Sequence, residues 1–251
     1  MFTPLILAAL AVVAVVTSFI SGIFGMAGGM LLMGFLLLLL PVPVAMVFHG
    51  VIQIAANGWR SYLWRHHINW GVVLQFGLGS VFSLLVFSSF AFVPHKSLVL
   101  LAIGLTPFIA LAVPQRVAPN IEARGQAFVA GAIAGALQLV SGVTGPILDI
   151  FYVRTGMTRQ VNVSTRAAAQ VMAHLTKIVY FGGLVASPGG RDLEQWLVMA
   201  FAAVFAVLGT TLSRSFLDRL SDKQFYYWTR RLILAIGVVY IVQGVWQMAA
   251  K

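Results

Sequence analysis

The sequence predicts an all-α polytopic membrane protein made of two inverted repeats, each a broken re-entrant-type hairpin plus three transmembrane helices. Three observations carry that reading. Only 9% of the 251 residues are charged and 60% are hydrophobic, where a soluble domain averages about 25% charged. The first charged residue is Arg60, and no soluble domain has use for so long an uncharged start. Two of the eight apolar segments are too long for one crossing, and each is interrupted by a cluster of glycines.

The charge balance and the missing residue types exclude several classes. Sixteen basic residues against six acidic ones would suggest nucleic acid in a soluble chain. In a polytopic chain, basic loops hold the topology, so no nucleic-acid partner is expected and the bilayer is the surrounding phase. The absence of cysteine excludes disulfides, thiolate metal sites and thiol redox relays. The apolar start MFTPLILAALAVV has no basic n-region and reads as a retained segment, not a signal peptide.

Taken in order, the apolar segments cover residues 5–40, 42–57, 70–92, 97–113, 125–153, 161–185, 196–216 and 232–248. About 20 residues suffice for one crossing. The first segment breaks at Gly25-Met26-Ala27-Gly28-Gly29 and the fifth at Ser141-Gly142-Val143-Thr144-Gly145-Pro146. Such clusters end helices at membrane depth, and the freed backbone groups must then face protein or a polar cavity. If each broken segment crossed once, the loop Lys and Arg would divide six to eight between the two sides. If both are hairpins, Arg60, Arg65, Arg116, Arg124, Arg154, Arg159, Arg214, Arg219, Lys223, Arg230 and Arg231 share one side, against Lys96, Arg191 and Lys251. The second count obeys the positive-inside rule. It places both termini outside the cytoplasm. The six tryptophans (Trp59, Trp64, Trp70, Trp196, Trp228 and Trp246) fall near span ends, as an interfacial belt requires.

Residues 1–113 and 125–251 then each read as hairpin, span, span, span, joined by the polar linker 114–124. An ungapped offset of 116 lays the first glycine cluster on Ser141–Gly145. Each half has an odd number of net crossings, so the second is inverted. Inverted repeats with paired broken helices are the layout of many secondary transporters, with the substrate between the breaks.

The chemistry concentrates in three places. Helix N-termini at the breaks carry unpaired N–H groups and about half a positive charge, which attract anions. Gly28 and Gly29 begin one second limb, and Thr144, Gly145 and Pro146 the other. The plainer alternative is close helix packing through small residues such as Gly131 and Gly135. The sixth span carries Asn162, Arg166, Gln170, His174 and Lys177 on one arc. Two cations inside a span are costly and face the bundle interior or a cavity. Arg166 offers a fork to oxyanions, or snorkels to the near interface. Lys177 either joins the site, pairs with Asp149, or caps backbone carbonyls. On the second span His49, Gln53, Asn57 and Arg60 share a face. Asp149 is the one acidic residue inside an apolar segment. It reads as counter-ion to Arg166 or Lys177, or, with His49 and His174, as a proton-relay candidate.

Enzyme motifs are nearly absent. Ser141 with His174 as base would make an intramembrane hydrolase, but their spacing has no catalytic signature. The loop pair His66-His67 lacks the i, i+4 geometry of a helical metal site. No cofactor and no metal are expected.

Ser21-Gly22-Ile23-Phe24-Gly25-Met26-Ala27-Gly28-Gly29, then an apolar limb and Pro41-Val42-Pro43, resembles the first signature of the TauE/SafE family of sulfite exporters. Gly131 to Leu148, followed by the polar span ending near Lys177, is similar to its second. The resemblance covers nearly the whole chain. It departs from the family pattern at Met26, Ala27 and Thr144. It implies a multi-pass permease of the bacterial inner membrane for sulfite, sulfonates or related small organic anions. The anion would sit between Gly28–Gly29 and Thr144–Gly145, held by Arg166, Gln53, Asn57, Asn162 and Gln170, with one repeat rocking against the other. A passive channel of the re-entrant-hairpin type is the alternative, and a homo-oligomer stays open.

Overall fold

The computed structural model describes residues 3–185, 192–217 and 222–250. Of the basic residues counted for the expected topology, Arg191, Arg219 and Lys251 lie outside the described residues.

Ten α-helices make up the described residues: α1 Pro4–Phe24, α2 Ala27–Leu39, α3 Val42–Leu63, α4 Trp70–Ser88, α5 Lys96–Ala112, α6 Gln126–Val140, α7 Gly145–Tyr152, α8 Arg159–Val179, α9 Leu193–Leu217 and α10 Asp222–Ala249. Five of them (α1, α3, α4, α9 and α10) are long and apolar enough to cross a membrane. The two long apolar segments do break in the middle, into α1 with α2 and α6 with α7. The turn falls on Gly25 in the first break and Gly142 in the second, with φ of 66° and 74°. Only glycine enters that backbone region without a steric cost from Cβ. The sequence placed the second limb's start at Gly28; the structure starts it one residue earlier, at Ala27.

Local signals set the other ends. Thr3 caps α1, its Oγ1 accepting from the Ile6 N–H at 3.4 Å. Thr158 caps α8 in the same way, and proline opens α1, α3 and α7, where its missing N–H costs nothing. Helix α3 runs six residues past the apolar segment that marks it, and α10 begins ten residues before its own. Apolar runs mark what lipid requires, whereas helices continue into the loop region. Helix α8 ends in a π-helical turn, Tyr180–Leu184, where the Tyr180 hydroxyl reaches the carbonyls of Phe92 (2.8 Å) and Phe87 (3.2 Å).

Packing follows long paired seams. Helix α1 lies along α9, α4 along α6, α5 along α10 and α3 along α8; α3 also meets α9, and α8 meets α4. Glycines make the seams. A Cβ on Gly131 would collide with the Phe76 carbonyl, one on Gly79 with the Phe128 carbonyl, and one on Gly209 with the Val15 carbonyl. Gly104 and Gly237 face each other, each 2.8 Å from the other's carbonyl oxygen if a Cβ is added. Small residues at lipid-embedded interfaces let backbones approach. Apolar residues on the outer faces of α4, α9 and α10, such as Leu78, Leu85, Val204, Leu208 and Val242, are exposed, as contact with acyl chains requires. Helix α8 is wrapped by α3, α4 and α6, which explains how so polar a helix is accommodated.

The linker is not a free tether. Ile121 N–H donates to the Phe151 carbonyl at 2.9 Å, Arg154 Nη1 donates to the carbonyls of Arg116 and Ala118, both at 3.1 Å, and Glu122 accepts from the Gly156 N–H at 2.7 Å. It is clamped against the end of α7.

Candidate anion site

The two breaks lie side by side at the bottom of a cavity of about 740 Å³. A Cβ on Gly145 would collide with Met26, so the second break sits directly on the first. Gly25, Met26 and Gly29 line the cavity from one break, Val143, Thr144 and Gly145 from the other. Helices α3 and α8 supply the polar walls: His49, Gln53, Asn57 and Arg60 from α3, and Asn162, Arg166, Gln170 and His174 from α8. The mouth is ringed by Trp64, Arg159 and Arg214, with the Arg214 guanidinium 5.8 Å from the Trp64 ring centre. These are ends of helices assigned to the basic side.

Arg166 is the centre of this arrangement. It does not snorkel. Its Nη1 donates to Asp149 Oδ1 on α7 in a short ion pair, and its Nη2 lies beside Gly25, 3.1 Å from where a Cβ would be. About a quarter to a third of each side chain in the pair is exposed, 27% for Arg166 and 33% for Asp149. The carboxylate holds Nη1, while Nη2 stands beside Gly25, and Arg166, Asp149 and Gly25 all line the cavity. Gln170 Oε1 accepts from Thr144 Oγ1 at 3.5 Å, which ties the second break to α8. Asn162 Nδ2 donates to the Tyr152 carbonyl (3.4 Å) and to Thr155 Oγ1 (3.2 Å), fixing the end of α7. Asn57 Nδ2 donates to the Gln53 carbonyl one turn earlier, at 3.0 Å.

The other residues singled out in the sequence take different places. Gly28 does not line the cavity. It faces α1, where a Cβ would strike the Thr17 carbonyl and Ser21, so it is a packing glycine; Gly29, one residue on, is the one that lines the site. Lys177 is neither in the cavity wall nor paired with Asp149. Its Nζ, with the residue 0% exposed, donates to the Gly142 carbonyl at 2.9 Å and to His49 Nδ1 at 2.8 Å. His49 Nε2 in turn faces the Gly29 carbonyl at 3.0 Å, which can only accept, so that nitrogen carries the hydrogen and Nδ1 accepts. His174 lies 5.5 Å from His49, ring centre to ring centre, and its Nδ1 accepts from Gln138 Nε2 at 3.3 Å. Ser141 has its hydroxyl turned to the carbonyls of Leu137 (2.8 Å) and Val143 (2.7 Å). It caps the break and is not paired with His174. His66 and His67 sit in an exposed turn. Among the described residues no group of three His, Cys, Asp or Glu could hold a metal ion.

Arg60 is the residue that sequence reasoning undervalued. Placed on the polar face of the second span and also counted among the basic loop charges, it lies in the last turn of α3 and forms part of the cavity wall. Its Nη2 is buried with no hydrogen-bond partner among the described residues, as are Tyr152 Oη, Thr210 Oγ1 and Thr229 Oγ1, all on residues that line the same cavity. Buried polar groups almost always find partners. These four atoms belong to residues of one polar cavity but are themselves out of contact with solvent, so each lies behind the cavity surface.

The register of the two halves also sharpens. Aligning the positive-φ glycines of the two breaks, Gly25 and Gly142, gives an offset of 117, one more than the offset chosen from sequence. At that offset His49 meets Arg166, Gln53 meets Gln170, Asn57 meets His174 and Arg60 meets Lys177. The first residue of α3, Val42, meets the first residue of α8, Arg159. Four polar positions of each stripe thus coincide, whereas Asn162 falls on Ala45.

The sequence model of the sulfite exporter TauE/SafE family matches residues 10–240. The chain belongs to the TauE/SafE sulfite exporter family. It is therefore a multi-pass membrane transporter and not an enzyme, which removes the hydrolase reading of Ser141. TauE/SafE membership implies export of sulfite or a related anion across the membrane. Neither a curated protein nor a solved structure matches the chain. Both signatures of the resemblance, 21–29 and 131–148, fall on the two breaks that floor the cavity.

Proposed function

We propose that this TauE/SafE protein is a secondary transporter that carries sulfite, or a sulfonate of similar headgroup such as sulfoacetate, by alternating access through the cavity between its two helix breaks. The observation that carries the reading is Arg166, a guanidinium set beside Gly25 in a polar cavity, with a carboxylate on one edge only. The anion would lie against that free edge and the N-terminal ends of α2 and α7. Gln53, Asn57, Asn162 and Gln170 would supply hydrogen bonds, and Arg60 would hold the charge at the mouth. The volume suits a small molecule with its waters and leaves room for a tail beyond the sulfur-bearing headgroup.

Two features support inverted repeats, residues 1–113 and 125–251 about the linker 114–124. One is the 117 offset. The other is the packing: exchanging α1–α5 with α6–α10 turns the α1–α9 pair into α6–α4 and the α3–α9 pair into α8–α4, while α3–α8 and α5–α10 map onto themselves. Because the tight seams cross between the halves, the bodies we infer to move are α1 with α9 and α4 with α6. The cavity mouth carries the basic ends, so the positive-inside rule makes this the cytoplasm-facing state of an inner-membrane protein with both termini outside. Met33 and Met46 crowd against Gly142 beneath the breaks, giving the cavity a floor. A floor favours a carrier over an open pore.

The test is heat stability of the purified protein, then counterflow. At 100 times its dissociation constant a ligand stabilises by about 2.7 kcal/mol. Sulfite or sulfoacetate should raise the melting temperature, with acetate, phosphate and chloride inert. Preloaded liposomes should then show saturable sulfite counterflow; linear, non-saturating flux would instead favour the channel. Asp149→Asn gives a second check. It removes the carboxylate that competes for Arg166, so half-saturation should fall by roughly tenfold, about 1.4 kcal/mol; an unchanged value would take Arg166 out of the anion's path.

A further inference from the structure

Lys177 is a lysine in an unusual position. It is wholly buried, among the described residues no carboxylate pairs with it, and both of its acceptors are neutral: the Gly142 carbonyl and His49 Nδ1. A cation buried in a membrane protein is normally paired or functional. Those two bonds join the breaks. His49 holds the Gly29 carbonyl of the first, and Lys177 holds the Gly142 carbonyl of the second.

Its place in the register says what else it does. At the 117 offset Lys177 is the counterpart of Arg60. Arg60 lines the mouth of the cavity, with an unpartnered Nη2. Lys177 lies three residues beyond His174, on the far side of His49 from the cavity, and does not line it. In an inverted repeat, the two ends of the pathway are built from equivalent residues of opposite halves, and alternating access exchanges their environments. The open end seen here is the Arg60 end, and the sealed end is the Lys177 end.

We propose that Lys177 is the anion-binding cation of the outward-facing state, the mirror counterpart of Arg60. When the cavity opens on the opposite face, the bonds to Gly142 and His49 break, the amine enters the cavity mouth and receives the oxyanion as Arg60 does in the inward-facing state. Arg60 is then enclosed. The neutral acceptors suit this exchange, because a carboxylate partner would have to be left behind as an uncompensated charge. The ligand is the same sulfite-like oxyanion, so the proposal rests on the transporter reading above.

The first experiment uses the wild-type protein, so no variant has to fold. A membrane-impermeant sulfonated succinimidyl ester is added to one face or the other of oriented vesicles, and acylation of native Lys177 is read by peptide mass spectrometry. The absence of native cysteine allows R60C to report the other end with an impermeant thiol reagent. The expected result is Lys177 modified only from the face that bears Lys96, and R60C modified only from the opposite face. Modification of Lys177 from the R60C face would overturn the proposal. So would its protection from both faces while R60C reacts, for Lys177 would then be a fixed strut. A second measurement reads sidedness of transport. K177M should raise the ratio of outer to inner half-saturating sulfite at least tenfold, R60Q should lower it, and K177R should restore the wild-type ratio. An unchanged ratio in K177M would overturn the proposal even if turnover falls. Failure of wild-type protein to move sulfite would overturn the transporter reading instead, and the proposal with it.

Discussion

Arg166→Gln should abolish sulfite transport while leaving a protein that purifies as a single species. In the proposed site Arg166 would give the anion charge-assisted hydrogen bonds, and such bonds are roughly twice as strong as neutral ones. Truncating one partner of a close charge pair costs about 2–5 kcal/mol, which is roughly thirtyfold or more in affinity. Here the loss is compounded, because Asp149 remains in the cavity with no cation beside it and repels the incoming anion. The fold survives because both side chains are partly exposed, so the orphaned carboxylate can still be hydrated. Arg166→Lys should recover part of the activity, since an ammonium keeps the charge and loses the fork. Radiolabelled sulfite counterflow checks this; flux in R166Q within a few-fold of wild type would remove Arg166 from the site.

Gly131→Ala should cost more stability than any charge substitution in the cavity. The added Cβ would run into the Phe76 carbonyl and its backbone neighbours, which cannot rotate away as a side chain could. Overpacking a yielding core costs about 1–3 kcal/mol; against backbone, about 3 kcal/mol or more is expected. The seam is reciprocal, since Gly79 stands equally close to the Phe128 carbonyl, so α4 and α6 must separate along their length. Gly183→Ala is the control, for nothing lies within 4 Å of its Cβ position. Melting curves in detergent should show a large drop for G131A and almost none for G183A; equal curves would mean the seam is loose.

Much of this was legible in the sequence for one physical reason: hydrocarbon tolerates so few deviations that each one is informative. The two breaks, the polar stripe 162–177 and its partner 49–60 all stand out against an apolar background. What was not legible depends on direction. A run of glycines shows where a helix ends, but not that Gly25 turns, Gly28 packs on α1 and Gly29 faces the cavity. On the proposed repeat, an offset of 117 in place of 116 makes His49 correspond to Arg166 and Arg60 to Lys177. Lys177 was expected to pair with Asp149 or to cap carbonyls; capping prevailed, because Asp149 sits on α7 against Arg166 while Lys177, three turns further along α8, meets the break from behind. Arg60 was placed on the polar face of the second span yet also counted with the loop charges, because the apolar segment ends at residue 57 and the helix at Leu63.

The crossed seams also bear on how the protein is made. Helix α1 ends at Phe24, and the helix it packs along starts at Leu193. A ribosome adding about 5–20 residues per second needs on the order of ten to thirty seconds to bridge that interval. Throughout it, the face of α1 that meets α9 has no mate and must wait among lipids or beside the insertion machinery. The first half on its own is thus half a zip, and so is the second. Co-expressed as two separate pieces, they should find each other in the membrane, and neither should persist when made without the other.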